Sequence, residues 1–283
     1  MERSAPAKLN LYLKVLRRRP DGYHDLVSLM APIDLEDRLE IELGKSSVRL
    51  RCACGLPEDS QNLAFQAATL FLLEAGERGI QAGARIYLEK HIPVGAGLGG
   101  GSSDAACVLL TLNDLCDSPF SNTELQVMAR RLGADVPFFI GGVPAIAHGI
   151  GERLRPVSVP PFWCVLVNPG FPVRTKTVYS NLALPLTPAD EESMVKWLMG
   201  AAADPAAILH NDLETSTFRL HPGLIQIKQA LRAEGAEGSL MSGSGSTVFG
   251  LFKTSDAAYA AAERLRRHED WAVSVQSGPW PGR

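Results

Sequence analysis

The chain has 283 residues, 46 % hydrophobic and 21 % charged, which supplies apolar material for a substantial core and argues against a chain dominated by disorder. Its net charge of −3 gives no global attraction to nucleic acid or to an anionic membrane, so a cationic site has to be built locally. Cys52, Cys54, Cys107, Cys116 and Cys164 are odd in number and lack CxxC spacing, which argues against a disulfide framework or a thiolate zinc site and points to a reducing compartment.

No apolar signal-peptide core follows Met1-Glu2-Arg3-Ser4-Ala5-Pro6, and the longest uncharged apolar stretch, from Val136 to Ala147, is too short to cross a bilayer. A cytoplasmic protein is therefore expected. Ala7, Leu9, Leu11, Leu13 and Val15 alternate with Lys8, Asn10, Tyr12 and Lys14, the period-two pattern of a half-buried strand, and this puts Lys8 and Asn10 on one polar face. Pro20-Asp21-Gly22 supplies turn chemistry, and alternation predicts strands over Leu39 to Leu43 and Val48 to Cys52. Asp59 or Ser60 is the expected cap of a helix running to Ala75, and Ala84, Ile86 and Leu88 define another strand.

A glycine turn and a helix-compatible segment, Asp104 to Leu115, come next. Thr123 is the expected start of a shorter helix ending near Gly133, with Asp135 just beyond it. Pro156, Pro160 and Pro161 mark a junction, so two domains are expected, residues 1–155 and 156–283. In the second half, Thr177 to Leu182, Glu191 to Met199, Pro222 to Glu234 and Asp256 to Arg267 read as helices, and Trp163 to Val167, Val248 to Phe252 and Trp271 to Val275 as strands. Helices packed on a small sheet would follow.

The chemistry starts at the turn. Five of the seven residues from Gly95 to Gly101 are glycine, and Ser102 and Ser103 follow where a helix opens. Missing Cβ atoms let backbone N–H groups approach a ligand, and the helix start adds a dipole and serine hydroxyls, which together suit phosphate oxygens. Pro93, Gly95, Gly97, Leu98, Gly99, Gly100, Gly101, Ser102 and Ser103 are thus the candidate phosphate site. Gly95-x-Gly97-x-x-Gly100 also fits a dinucleotide fingerprint, but Pro93 interrupts the approach and the turn comes late in the first half; no Walker string occurs. A second glycine-serine cluster includes Gly243, Ser244 and Gly245, where a plain loop competes with a contact to the same ligand.

Phosphoryl transfer needs a bound nucleotide, charge neutralisation and a group acting on the acceptor hydroxyl. Lys8 is the candidate cation and Asp135 the candidate base, the competing reading being a surface lysine and a helix-terminal aspartate. Mg2+ is expected to bridge the phosphates of the nucleotide. Its protein ligand is unassigned, since Ser103 suits a metal or a phosphate equally.

Five segments together carry a resemblance: Pro6-Ala7-Lys8-Leu9-Asn10-Leu11, Arg18-Arg19-Pro20-Asp21-Gly22-Tyr23-His24, Pro93 to Ala106, Gly133-Ala134-Asp135-Val136-Pro137-Phe138-Phe139, and Ser242-Gly243-Ser244-Gly245-Ser246-Thr247. In that order the chain resembles the 4-diphosphocytidyl-2-C-methyl-D-erythritol kinase family of the GHMP kinase superfamily. The resemblance implies an α+β, two-domain GHMP kinase fold, with an N-terminal part like the second domain of ribosomal protein S5, a C-terminal α/β sandwich, and the active site at their interface. It implies ATP and Mg2+ as cofactors and transfer of the γ-phosphoryl group to the 2-hydroxyl of 4-diphosphocytidyl-2-C-methyl-D-erythritol, in non-mevalonate isoprenoid synthesis.

Carried over by resemblance, Lys8 and Asp135 are catalytic, while Asn10, Tyr23, His24 and Tyr179 contact the acceptor substrate. Tyr179 would stack on cytosine and His24 would read its edge. Asn62 and the segment Asn211-Asp212-Leu213-Glu214 match the family with a structural role in competition, and Arg174 departs from the small or proline residue expected in its loop. The implied partner is a small molecule, with no nucleic acid and no membrane, acting on a monomer or weak homodimer. Homoserine or mevalonate kinase activity is the nearest alternative; an inactive nucleotide-binding module is the alternative from another class.

Overall fold

The computed structural model describes residues 1–53, 55–182 and 191–280; Cys54 lies outside the described residues. The chain divides into two compact units, one made of Met1–Ala7, Leu35–Ile92 and Gly99–Gly142, the other of Lys8–Asp34, Pro93–Leu98 and Val143–Arg283. Strands β1 (Glu2–Arg18) and β2 (His24–Gly44) contribute residues to both.

Both strands are longer than their alternation suggests. Every residue from Ala5 to Leu13 is buried, Lys8 and Asn10 included, so β1 is not half-buried and its polar face is not a surface. The same holds for β2, buried without a break from Asp25 to Ile33, which hides it from any period-two test.

In the first unit β2 pairs antiparallel with β4 (Gly83–Glu89), from Arg38↔Glu89 to Gly44↔Gly83, and β3 (Val48–Cys52) runs parallel to β4. Ala84, Ile86 and Leu88 point inward, as expected. Helix α1 (Leu63–Glu77) begins later than expected: Asn62, not Asp59 or Ser60, is its cap, its carboxamide oxygen accepting from Ala64 N–H at 3.0 Å. It buries Phe71, a contribution of about 1.5–3 kcal/mol, and that ring meets Phe120 edge-on at 5.2 Å. Helix α2 (Gly100–Leu115) packs against α1. Ser121 caps α3 (Asn122–Leu132) in a capping box with Glu124, so the helix starts one residue before the expected Thr123. Asp135 ends this connection as the residue before a short helix, α4 (Val136–Gly141), which alternation did not reveal.

The second unit adds β5 (Ala145–Gly149) antiparallel to β2, from Leu26↔Gly149 to Met30↔Ala145, and β6 (Arg153–Pro156) on β5. Then follow β7 (Phe162–Asn168), α5 (Thr175–Ser180), α6 (Glu191–Ala201), the two-residue β8 (His210–Asn211) parallel to β1, and α7 (Leu213–Leu220). Helix α8 (Gly223–Ala233), β9 (Gly238–Met241), β10 (Val248–Phe252), α9 (Ser255–Leu265) and β11 (Ala272–Gly278) complete it. A four-stranded antiparallel sheet runs β11-β7-β10-β9. Helices α8 and α9 pack on it, burying Ile227, Leu231, Ala261 and Leu265 with Val165, Val167 and Val248, the expected arrangement for this half.

Candidate active site

A lysine buried on both faces of a strand has to find acceptors for its ammonium group. Lys8, 4 % exposed, donates to the side-chain oxygen of Asn10 and, at 2.9 Å, to the carbonyl of Gly97. Asn10 in turn donates through Nδ2 to Ser28 Oγ at 2.8 Å, and through its backbone N–H to Ser242 Oγ at 3.3 Å. The Ser242 hydroxyl returns to the Gly97 carbonyl at 3.0 Å, closing a ring of bonds around Lys8.

The two glycine clusters meet here. Gly95 and Gly97 have φ of 64° and 79°, and Lys8 N–H donates to the Leu98 carbonyl at 3.0 Å. A Cβ on Gly97 would stand 2.0 Å from the Ser242 carbonyl oxygen, so no other residue fits without moving the Ser242–Thr247 loop. Thr247 N–H donates to the Ala96 carbonyl, and a Cβ on Gly243 would come within 3.3 Å of Lys8 Nζ. Ser244 is tied to Thr175 by a 2.9 Å hydroxyl contact, and Gly245 N–H turns back to Ser242. Asn211 fixes this loop from behind, its amide nitrogen donating 2.8 Å bonds to both the Met241 and Gly243 carbonyls.

In the first unit the glycine turn becomes a helix earlier than expected. Gly99, at φ 74°, precedes α2, so Gly100, Gly101 and Ser102 open its first turn with N–H groups that have no intrahelical acceptor, while Ser103 N–H donates to the Gly99 carbonyl at 2.9 Å. Behind them lies a buried ion cluster. Lys90 bonds Asp37 and, at 2.8 Å, Asp104, while the other oxygen of Asp37 accepts from His91 and Ile92 N–H at 2.6 and 2.8 Å. Burial, beside Lys90 and Asp37, leaves the Asp104 carboxyl raised to about 7. Ser103 Oγ is buried with no hydrogen-bond partner, as is Asp104 Oδ1.

An orphaned serine hydroxyl beside unspent helix N–H groups fits a polyphosphate. Among the described residues no group of three or more His, Cys, Asp or Glu is placed to hold a metal, so the protein ligand of a magnesium ion stays unassigned. Nor is any helix among them long and apolar enough to cross a membrane.

His24 and Tyr179 are brought together, their rings 5.0 Å apart and tilted by 32°. Burial, and then the charge of Arg18, lower the His24 imidazole below its usual range, which leaves it neutral near pH 7. Tyr23 stands on the turn, 61 % exposed. Arg17 and Arg19 are engaged by Asp25, and Arg174 is exposed just ahead of α5. Asp135 belongs to the first unit and Lys8 to the second. Ser28, Asp37 and Lys90 escaped notice in the sequence; only Lys90, three residues ahead of Pro93, stood near a motif that would have flagged it.

The description "GHMP kinases N terminal domain" matches residues 62–143, and "GHMP kinases C terminal" matches residues 195–270. A 4-diphosphocytidyl-2-C-methyl-D-erythritol kinase of Syntrophus aciditrophicus is 47 % identical over 271 residues, covering 95 % of this chain and 96 % of that protein. The chain belongs to the 4-diphosphocytidyl-2-C-methyl-D-erythritol kinase family. A family member from Syntrophotalea carbinolica is 48 % identical over 270 residues, covering 94 % of this chain and 95 % of its own. Among solved structures, a 4-(cytidine 5'-diphospho)-2C-methyl-D-erythritol kinase matches with a TM-score of 0.81 at 45 % identity, covering 98 % of this chain and 100 % of that one. A homoserine kinase from Cytophaga hutchinsonii matches with a TM-score of 0.76 at 21 % identity, covering 98 % and 94 %, and shares the fold. The family's two-domain α+β GHMP kinase fold, with an N-terminal part like the second domain of ribosomal protein S5 and a C-terminal α/β sandwich, is the fold of this chain.

Proposed function

We propose that this family member transfers the γ-phosphoryl group of ATP to the 2-hydroxyl of 4-diphosphocytidyl-2-C-methyl-D-erythritol, giving the 2-phosphate and ADP, a step of non-mevalonate isoprenoid synthesis. One observation carries the reading: Lys8 is buried and held by an amide oxygen and a carbonyl oxygen at the meeting of two glycine loops. A strand used only for packing has no reason to desolvate an ammonium group there. The compound is named for relatives that match nearly end to end.

In this reading, Gly95, Gly97, Leu98 and the first-turn amides of Gly100, Gly101 and Ser102 receive the nucleotide phosphates, and Ser103 supplies its hydroxyl. Bound Mg2+ would offset charge on the phosphate oxygens. Asp135 accepts the proton of the acceptor hydroxyl, and Lys8 stabilises the negative charge on that oxygen and on the moving phosphoryl group. Asn10 orders the acceptor pocket; Tyr179 stacks on the cytosine ring, and His24, with Tyr23, reads its edge. The neutral state of His24 suits this, because a neutral imidazole offers one donor and one acceptor. Gly243, Ser244 and Gly245 close the loop over Lys8. The domains are residues 1–155 and 156–283, the setting cytoplasmic and the protein a monomer or weak homodimer.

The test is ATP consumption with three acceptors at equal concentration: the cytidine compound, homoserine and mevalonate. Turnover confined to the first is expected; turnover of either other compound without it rejects the assignment.

A further inference from the structure

We infer that Ser28 is a positioning residue that sets the direction in which Asn10 presents its amide to Lys8, and so holds the ammonium group in its working orientation; the inference rests on the role given to Lys8 above. A carboxamide has an accepting end and a donating end of nearly equal size, so something must decide which end faces a lysine. Proton counting decides it here. The Ser28 hydroxyl has one proton, and it is spent on the Tyr12 carbonyl at 2.7 Å, a group that only accepts. Toward Asn10 the same oxygen offers lone pairs alone, and these select the N–H end of the amide, 2.8 Å away. The oxygen of Asn10 is thereby left for Lys8.

Reversing the amide would set its oxygen against the Ser28 oxygen and its N–H groups against an ammonium that only donates. Both contacts would repel. Ser28 is 2 % exposed and Asn10 4 %, so water does not readily take over this choice. Ser28 is held in turn on β2, opposite Ala147 of β5, and the Asn10 backbone is pinned by Ser242. The direction therefore comes from β1, through Tyr12, and not from the loops that receive phosphate.

Steady-state kinetics of S28A, N10A, the double variant and K8M, each checked for folding by Tm, test the inference. In folded S28A, kcat is expected to fall about tenfold, or ~1.4 kcal/mol of barrier, with KM for ATP unchanged. In the N10A background S28A should cost nothing further, because the amide it directs is gone. Should S28A fail to fold, S28C, which keeps the size and weakens the hydrogen bonds, replaces it with the same outcomes. A folded variant with wild-type kcat, or one that loses as much in N10A as in the parent, overturns the inference. Turnover retained by K8M would instead remove the reading of Lys8 itself, so the two failures are told apart.

Discussion

Two buried lysines show how differently one side chain is used within a single chain. Lys90 is bonded by the carboxylates of Asp37 and Asp104, and although burial lowers its pKa, those two charges more than restore it and raise it above the usual value. Lys8 is oriented by the Asn10 amide and the Gly97 carbonyl. The Asp37 and Asp104 carboxylates hold Lys90 in place, whereas the Asn10 and Gly97 oxygens set the direction of the Lys8 ammonium group. The first arrangement suits a strut under the opening of α2; the second is compatible with the role proposed above for Lys8.

The comparison breaks first at the chemistry. Lys8→Met should lower kcat by about 10²–10³-fold while leaving nucleotide affinity within a few-fold, because an electrostatic contribution of this kind is realised only as charge develops. Asp135→Asn should follow the same pattern with a similar loss if it takes the acceptor proton. Single-turnover rates with nucleotide titrations check both. An unchanged kcat in either variant removes that residue from the chemistry.

Lys90→Met should act on stability instead. It leaves Asp37 and Asp104 facing each other without their cation, a loss of about 3–5 kcal/mol, read as a Tm lower by roughly 10 °C. The residual folded enzyme should keep most of its kcat per active molecule. If Lys90→Met instead kept its Tm and lost turnover, the two lysines would not differ in kind.

The sequence revealed Lys8 more readily than its surroundings. Strict alternation from Ala7 to Val15 puts Lys8 and Asn10 on one polar face of a half-buried strand, but it does not show that this face is buried, because partners such as Ser28 and Gly97 come from other segments of the chain. Alternation cannot detect a strand buried on both sides, so most of β2, and Ser28 with it, went unseen. Glycine's low helix propensity moved the expected start of α2 from Gly100 to Asp104. In the C-terminal half, Ile227, Leu231 and the run Val248 to Phe252 are local apolar patterns and were placed within a residue or two. What stayed hidden there was α7, β9 and β8, the last only two residues long and held by pairing with Tyr12 and Leu13 of β1.

The smallest expected effect sharpens the Lys90 side of the comparison through pH. Two carboxylates share one ammonium in a dry site, and the Asp104 carboxyl is raised from 3.8 to about 7. The folded protein therefore binds a proton that the unfolded chain has released, and stability must fall as pH rises from about 4 through about 7. Lys90 stays charged across this window, its own pKa being raised, so it adds no slope. Asp104→Asn keeps an oxygen for Lys90 and removes the proton from the balance. Its Tm should change less between about pH 5 and about pH 8 than that of the parent protein. Parallel curves would mean that Asp104 is ionised throughout, and Lys90 would then hold a full carboxylate pair at every working pH.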